Sequence, residues 1–474
     1  MENTNPSTPK NKSILNLLST INPSVYLFLA TILAIIVANS ANTAEFYFNW
    51  LQTPIDFSIG NFAPFRVHGQ PMTISLFVND ALMAIFFFTI GLEIKYELRA
   101  GSLSNPRNAL LPVIAACGGM FIPVAVFLLV DHDPLHIHGA AIPMATDIAF
   151  SLAVLGLLGK KVPSTLKVFL VALAVADDIG GILVIAIFYT SHIDYGALIA
   201  AALVILFAFY IGRFNIRRQW VYYLLFFIAW VFMLRSGVHA TIAGVAMGLA
   251  IPHMPLRKKS ELQASLVGLN HELEEAKNAQ GDKHFFLSNP LVNTMKGAQR
   301  NIETTISLTQ LMHNELTPFV NYVVLTLFAF VNAGVTFDAM TPGEMTGIPL
   351  AITLGLLIGK PLGIFGATYL ACKAKLCKLP AGMTTENLFG VSIFGGIGFT
   401  VALFIATLAY APHVVGPIGP ELLNEAKLGV FAGSILSGTL GYFVLKAILH
   451  KEKKHGKGAF SPEYLAYTEA QENN

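Results

Sequence analysis

The chain has 474 residues, 54% of them hydrophobic and only 12% charged, against roughly 25% charged in soluble domains. That deficit puts it in the membrane class and excludes the two or three soluble domains its length would otherwise suit. A net charge of +2 identifies no partner by itself: the lipid bilayer is the expected one, and nucleic acid is not.

In chain order, residues 1–22 read as a cytoplasmic N-terminal segment, 23–450 as a transmembrane domain and 451–474 as a cytoplasmic tail. Apolar stretches near the ~20 residues needed to span a bilayer recur at 23–40, 72–94, 108–130, 140–158, 166–190, 196–212, 219–235, 237–252, 316–337, 348–371, 388–410 and 427–449. The first is preceded by Lys10 and Lys12 like a signal peptide, but no A-x-A site follows, so it reads as an uncleaved helix. With the N-terminus inside, the inner segments carry Lys95, Arg99, Arg107, Lys160, Lys161, Lys167, Arg213, Arg217, Arg218, Arg257, Lys258, Lys259, Lys373, Lys375, Lys378 and a Lys-rich tail. The outer loops hold only Arg66, Arg235 and Lys427. Lys and Arg concentrate in cytoplasmic loops, so this asymmetry supports an even number of spans with both termini inside.

Two polar segments interrupt the spans. The outer loop of 41–71 contains P-I-D-F-S-I-G-N-F, alternating up to a Gly60–Asn61 turn and followed by a short run to Val67, a hairpin signal. An isolated hairpin is marginally stable, which makes pairing with another subunit the expectation. The long cytoplasmic loop of 253–315 is polar and mixed in charge, with helical apolar spacing from Ile302 to Leu316. Cys117, Cys372 and Cys377 form no disulfide framework and lack zinc-ligand spacing; they read as small apolar residues or reduced thiols.

An ionisable residue at mid-helix costs about 2.5–3.5 kcal/mol on insertion scales, which makes it a functional candidate. In L-V-A-L-A-V-A-D-D-I-G-G-I-L of the fifth span, Asp177 lies about 16 Å into the helix at 1.5 Å per residue, near the bilayer centre. Adjacent helical residues point about 100° apart, so Asp177 and Asp178 cannot face one spot: one can meet a neighbouring helix while the other lines a cavity. Hard cations such as Na⁺ want oxygen ligands, and carboxylates also take protons, so one site can hold either. Lys360, in G-L-L-I-G-K-P-L-G-I of the tenth span, lies about 15 Å from the outer side, level with Asp177. A salt bridge to one of the aspartates removes the cost of an unpaired ammonium there.

The fourth span reads A-A-I-P-M-A-T-D-I-A-F, where Pro143 breaks the helix and Thr146 and Asp147 offer oxygens just beyond it. The eleventh carries Gly395, Gly396 and Gly398 in F-G-G-I-G-F-T. Interrupted segments in corresponding, inverted positions mark transporters whose broken helices meet at the binding site. Asp147 near that crossing could balance the half-helix partial charges, or simply cap its own half-helix. Glu93 and Glu97 lie one turn apart at the cytoplasmic edge of the second span, either as a solvated face or as a cation-attracting funnel. D-H-D-P-L-H-I-H-G at 131–139 has a metal-site composition, but its Pro134 and short loop favour a solvated turn. N-H-E-L-E-E lacks a second His four residues after His271 and is no zinc-protease helix.

Taken together, G-L-E-I-K-Y-E-L, I-P-M-A-T-D-I-A-F, A-D-D-I-G-G, S-G-V-H-A-T-I-A-G, F-A-F-V-N-A-G-V, L-L-I-G-K-P-L-G-I and G-G-I-G-F-T resemble, in order from about residue 20 to 450, the bacterial NhaA Na⁺/H⁺ antiporters. The resemblance implies an all-α multi-pass membrane protein of about twelve helices, with an inverted repeat whose fourth and eleventh helices cross at mid-membrane. It implies a homodimer joined through the outer β-hairpin, in the bacterial inner membrane. It makes Asp177 and Asp178 the Na⁺- and proton-binding carboxylates, places Thr146 and Asp147 at the crossing, and pairs Lys360 with Asp177 or Asp147. Asp80 would line the outer vestibule, Glu93 and Glu97 the cytoplasmic mouth and pH response, and His239 would fall in the eighth helix. The implied activity is electrogenic expulsion of Na⁺ or Li⁺ driven by H⁺, activated at alkaline pH, with no cofactor and no enzymatic step.

This chain departs from the family pattern in two places. Tyr96 stands where an Arg usually separates the two glutamates, and before Pro318 the acidic–His cluster is displaced to His313 and Glu315. Both bear on pH activation and leave the antiport residues in place. Two other functions fit the sequence less well. An organic-anion symporter would want donors for its substrate, whereas the core groups here are mainly acidic. An intramembrane aspartyl protease carries its aspartates on separate helices in Y-D and G-x-G-D settings, whereas these are adjacent and no G-x-G-D occurs.

Overall fold

Helices in the computed structural model, which describes residues 22–57, 64–67, 70–159, 162–190, 193–214, 216–255, 259–280, 289–336 and 346–461, begin where the sequence supplies a cap or a proline. Asn22 accepts a bond from the Ser24 amide ahead of α1 (Pro23–Asn39), which starts on its proline. The chain then turns by 114° into α2 (Ala44–Leu51). α2 is tied to the bundle by Tyr47, whose hydroxyl donates to the Phe330 carbonyl at 2.6 Å.

After α2 comes a small antiparallel sheet of β1 (Pro54–Ile55), β2 (Arg66–Val67) and β3 (Gln70–Thr73), in the order β1-β3-β2. An outer-loop hairpin is therefore present, but its arms are β2 and β3, with Val67 opposite Gln70. β1 adds to the other side of β3, Pro54 opposite Thr73. The expected Gly60–Asn61 turn lies outside the described residues. Strand β3 runs directly into the second span, so the expected boundary at 71/72 cuts it, with Gln70 and Pro71 in the loop and Met72 and Thr73 in the span.

Eight helices are long and apolar enough to cross a membrane, three more candidate spans are helix pairs bent by 114°, 40° and 50°, and one shorter apolar helix covers Thr241–Ala250. Among the described residues these account for the twelve segments expected. The spanning helices include α3 (Ile74–Arg99), α4 (Pro106–Val130), α6 (Ser164–Phe188), α12 (Leu308–Asn332) and α13 (Ile348–Lys373). The two interrupted spans are a 3₁₀ turn at Ile137–Met144 followed by α5 (Ile148–Gly156), and α14 (Thr385–Phe394) followed by α15 (Phe399–Ala409). Every residue from Phe399 to Ala406 is buried, which puts α15 inside the bundle rather than at its lipid face.

Glycine sets the distance between α4 and α13. A Cβ on Gly363 would stand 2.1 Å from the Gly118 carbonyl oxygen, and one on Gly118 would stand 2.1 Å from that of Gly363. Only glycine on both helices allows this approach, and it holds the helix that carries Lys360 against its neighbour.

Several expected bounds move. The ninth span begins at Leu308 rather than 316, because the Ser307 hydroxyl caps it by accepting from the Gln310 amide at 3.2 Å. Its first turns fall in the stretch of helical apolar spacing assigned to the loop and include Thr309, which donates to the Pro252 carbonyl at 3.1 Å. The long loop holds two helices, α10 (Lys259–Gln280) and α11 (Asn289–Thr305). The last helix, α16 (Gly419–His455), continues past 449 because buried Glu452 accepts bonds from Asn387 and from the Thr384 hydroxyl at the start of α14.

Candidate functional site

The two interrupted spans meet at their breaks. Residues 145–147 are extended after Pro143, and the Asp147 amide donates to the Ile397 carbonyl at 2.7 Å. α5 and α15 both start at this crossing, so two partially positive helix N-termini converge there. Asp147 answers both. Its Oδ1 accepts from the Phe150 amide of its own half-helix at 3.0 Å. Its Oδ2 accepts from the Thr400 amide at 3.0 Å and the Thr400 hydroxyl at 2.5 Å. The two readings of Asp147, a cap and a charge balance across the crossing, are one arrangement. The C-terminal carbonyls of α14 are satisfied from the opposite span: Thr146 donates to Gly395 and Ser151 to Phe394, each at 2.9 Å.

Alongside the crossing, α6 presents its two aspartates to different neighbours, as the 100° separation requires. Lys360 is fully buried, and its Nζ lies 2.5 Å from Oδ2 of Asp177. Asp147 is already engaged with α15, so Lys360 pairs with Asp177. The second oxygen of Asp177, Oδ1, is buried and has no hydrogen-bond partner among the described residues. Asp178 is 8% exposed and stands among the carboxylates of Asp177, Glu93 and Asp147, with Lys360 as the compensating charge. Among the described residues, none donates a hydrogen bond to it. The site thus holds one carboxylate fixed by an ammonium and another with free lone pairs, a donor set that suits a small hard cation or protons.

The remaining expected residues fall into two groups. Glu93 is half-buried and acts electrostatically on Asp178, whereas Glu97 accepts from the amide and hydroxyl of Ser102 at 2.7 and 2.8 Å. Glu97 therefore caps the turn that follows α3 rather than facing the aspartates. At the other end of the bundle, Asp80 lies in a π-helical turn (Val78–Leu82) within α3, 3.9 Å from Nδ1 of His239. Both line a cavity of about 1330 Å³ shared with Tyr189, Asn332, Glu421 and Lys427, and neither Asp177 nor Asp178 is among its lining residues. The 131–139 segment is the exposed turn expected, open to solvent at 132–135 and at 137–138, but its first residue is anchored in the bundle. Asp131 is buried and bonds Nδ1 of His136 at 2.8 Å, and Tyr410 donates to the His136 carbonyl at 3.0 Å. No group of three metal-ligating side chains occurs among the described residues.

Sequence reasoning missed Thr400 and Lys95. A hydroxyl placed just after a glycine break was the available signal for Thr400. Lys95, counted with the inner loops, is buried, and its Nζ donates to the Leu249 carbonyl at 2.7 Å and to that of Ile251. It closes the C-terminal end of Thr241–Ala250, where a cation is stabilising. Nothing local to Lys95 announces that partner.

Two broken helices crossing beside buried carboxylates and a buried lysine define the class, a multi-pass helical membrane transporter. The family model described as Na⁺/H⁺ antiporter 1 matches residues 17–445. A protein named Na(+)/H(+) antiporter NhaA from Parabacteroides distasonis is 48% identical over 91% of this chain and 95% of its own length. Proteins of the same name from Porphyromonas gingivalis and Escherichia coli are 47% and 41% identical, over 91% and 90% of this chain and 94% and 95% of theirs. The chain belongs to the NhaA Na⁺/H⁺ antiporter family.

Proposed function

We propose that this protein exchanges cytoplasmic Na⁺ or Li⁺ for external H⁺ by alternating access, electrogenically, for sodium and pH homeostasis in a bacterial inner membrane. The observation that carries the proposal is Asp178, a buried carboxylate beside Asp177 with no hydrogen-bond donor among the described residues. On this reading Asp177, held by Lys360, is the proton-exchanging partner, and Asp178 is the principal ligand of Na⁺. Protons displace it, and Lys360 releases or regains its hold on Asp177 as the site changes occupant. Thr146 and Asp147 keep the two breaks in register, Glu93 draws cations toward Asp178 from the cytoplasmic side, and Asp80 lines the outer vestibule. The placement of both termini in the cytoplasm rests on the Lys/Arg asymmetry. A homodimer through the outer sheet belongs to the same proposal, since among the described residues β1 and β2 are the edges of the sheet and able to extend across two subunits.

The test is proton flux in proteoliposomes on addition of Na⁺, Li⁺ or K⁺ at several pH values. Wild type should release protons from its acidic-loaded lumen on addition of Na⁺ or Li⁺, and Asp178→Asn should not. Absence of cation-driven proton movement at every pH would overturn the proposal.

A further inference from the structure

Outside the crossing, the structure brings together two side chains that sequence spacing had left unrelated. Cys372 and Cys377 stand with their sulfurs 3.6 Å apart, at the end of α13 and in the turn that follows. The contact is built by the backbone. The Leu376 amide bonds the Ala371 carbonyl at 3.0 Å and the Lys375 amide bonds that of Cys372 at 3.0 Å, while Lys375 takes the left-handed conformation at φ 62°. This is a Schellman cap with lysine where glycine is usual, and it turns the chain so that Cys377 folds back over Cys372. Among the described residues, Lys375 is the one non-glycine residue with positive φ. Cys377 is buried and Cys372 half-buried, and Lys373, Lys375 and Lys378 are all exposed around them.

We propose that Cys372 and Cys377 form a reversible thiol–disulfide site. Its oxidant is a small anionic disulfide of the glutathione type, which the three ammonium groups attract. The more accessible Cys372, as thiolate, attacks one sulfur of the oxidant, and the departing small-molecule thiolate takes up the released proton. Cys377 then loses its proton and attacks the Cys372 sulfur of the mixed disulfide, expelling the second small-molecule thiol. Two protein thiols and one small disulfide become one protein disulfide and two small thiols. The new bond ties the end of the helix that bears Lys360 to the loop leading into α14.

The test uses the purified full chain carrying Cys117→Ser, incubated with glutathione disulfide and digested with trypsin without reduction. Lys373 lies between the two cysteines, so trypsin parts them, and a Cys372–Cys377 bond appears as one joined peptide pair that separates on reduction. The proposal expects that pair, and expects the additional Cys377→Ser change to stop the reaction at a stable glutathione adduct on Cys372. A persistent adduct with both cysteines present, disulfide-linked dimers on a non-reducing gel, or two unreacted thiols would each overturn it.

Discussion

Asp147 and Thr400 join the two broken spans: one carboxylate oxygen accepts both the amide, at 3.0 Å, and the hydroxyl, at 2.5 Å, of a residue 253 positions away. The pair is buried, with Asp147 2% and Thr400 2% exposed, so its bonds are strengthened by low-dielectric surroundings. Asp147→Asn has one acceptor oxygen, so it can keep the bond from Phe150 or the two from Thr400 but not both sets. It should cost about 1.5–3 kcal/mol, the range for hydrogen bonds to a charged group. A double-mutant cycle with Thr400→Val, read by thermal unfolding in detergent, should return a coupling of about 0.5–3 kcal/mol. Additive single effects would show that the two residues stabilise the crossing independently.

Lys360 and Asp177 make a different kind of pair, because one carboxylate oxygen already has no partner among the described residues. Lys360→Ala strands the whole carboxylate in the bundle and should destabilise by about 3–5 kcal/mol, as breaking buried ion pairs does. Replacing both charges, Lys360→Met with Asp177→Leu, should recover most of that loss while abolishing exchange. A double variant no more stable than Lys360→Ala would show that packing, not the stranded charge, sets the cost.

At the outer sheet, Asp56 and Arg66 form an exposed bidentate pair, with Nε to Oδ1 at 3.1 Å and Nη2 to Oδ2 at 2.5 Å. The guanidinium hydrogen bonds, and secondarily its charge, hold the Asp56 carboxyl below its ordinary value. A carboxyl lowered in the folded state contributes fully above its unfolded pKa, about 4, and loses that contribution as pH falls through its folded value. The sheet should therefore be insensitive to pH from neutrality down to about 4 and loosen below it. The protection of the Met72 amide, which bonds the Phe65 carbonyl at 2.8 Å, reports this once intrinsic exchange rates are divided out. Arg66→Ala should flatten the profile, and an unchanged profile would assign the pH dependence elsewhere.

The candidate residues were legible because charge in an apolar run is a local property. Asp177, Asp178 and Lys360 stand out against their neighbours, and Pro143 and Gly395–Gly398 mark breaks wherever they occur in a span. Depth was legible too, since helical rise converts residue count into distance. The pairings were not. Spans that are apolar on every side carry little periodicity to tell which face meets protein and which meets lipid. Lys95 read as a loop cation and proved to be a buried helix cap. The same holds for strand β3, whose second half falls in the expected second span although Thr73 stands opposite Pro54, and the bond from Ser102 to Glu97 had no local signal.

By itself, the order of apolar runs, breaks and misplaced charges determined the membrane class, where the apolar helices lie and which residues are candidates for the site. Only the tertiary structure decided that Lys360 holds Asp177, that Asp147 belongs to Thr400, and that Asp178 is left without a donor among the described residues. Those choices depend on how each helix is rotated about its axis. That rotation is settled by close contacts such as Gly118 against Gly363, between residues far apart along the chain.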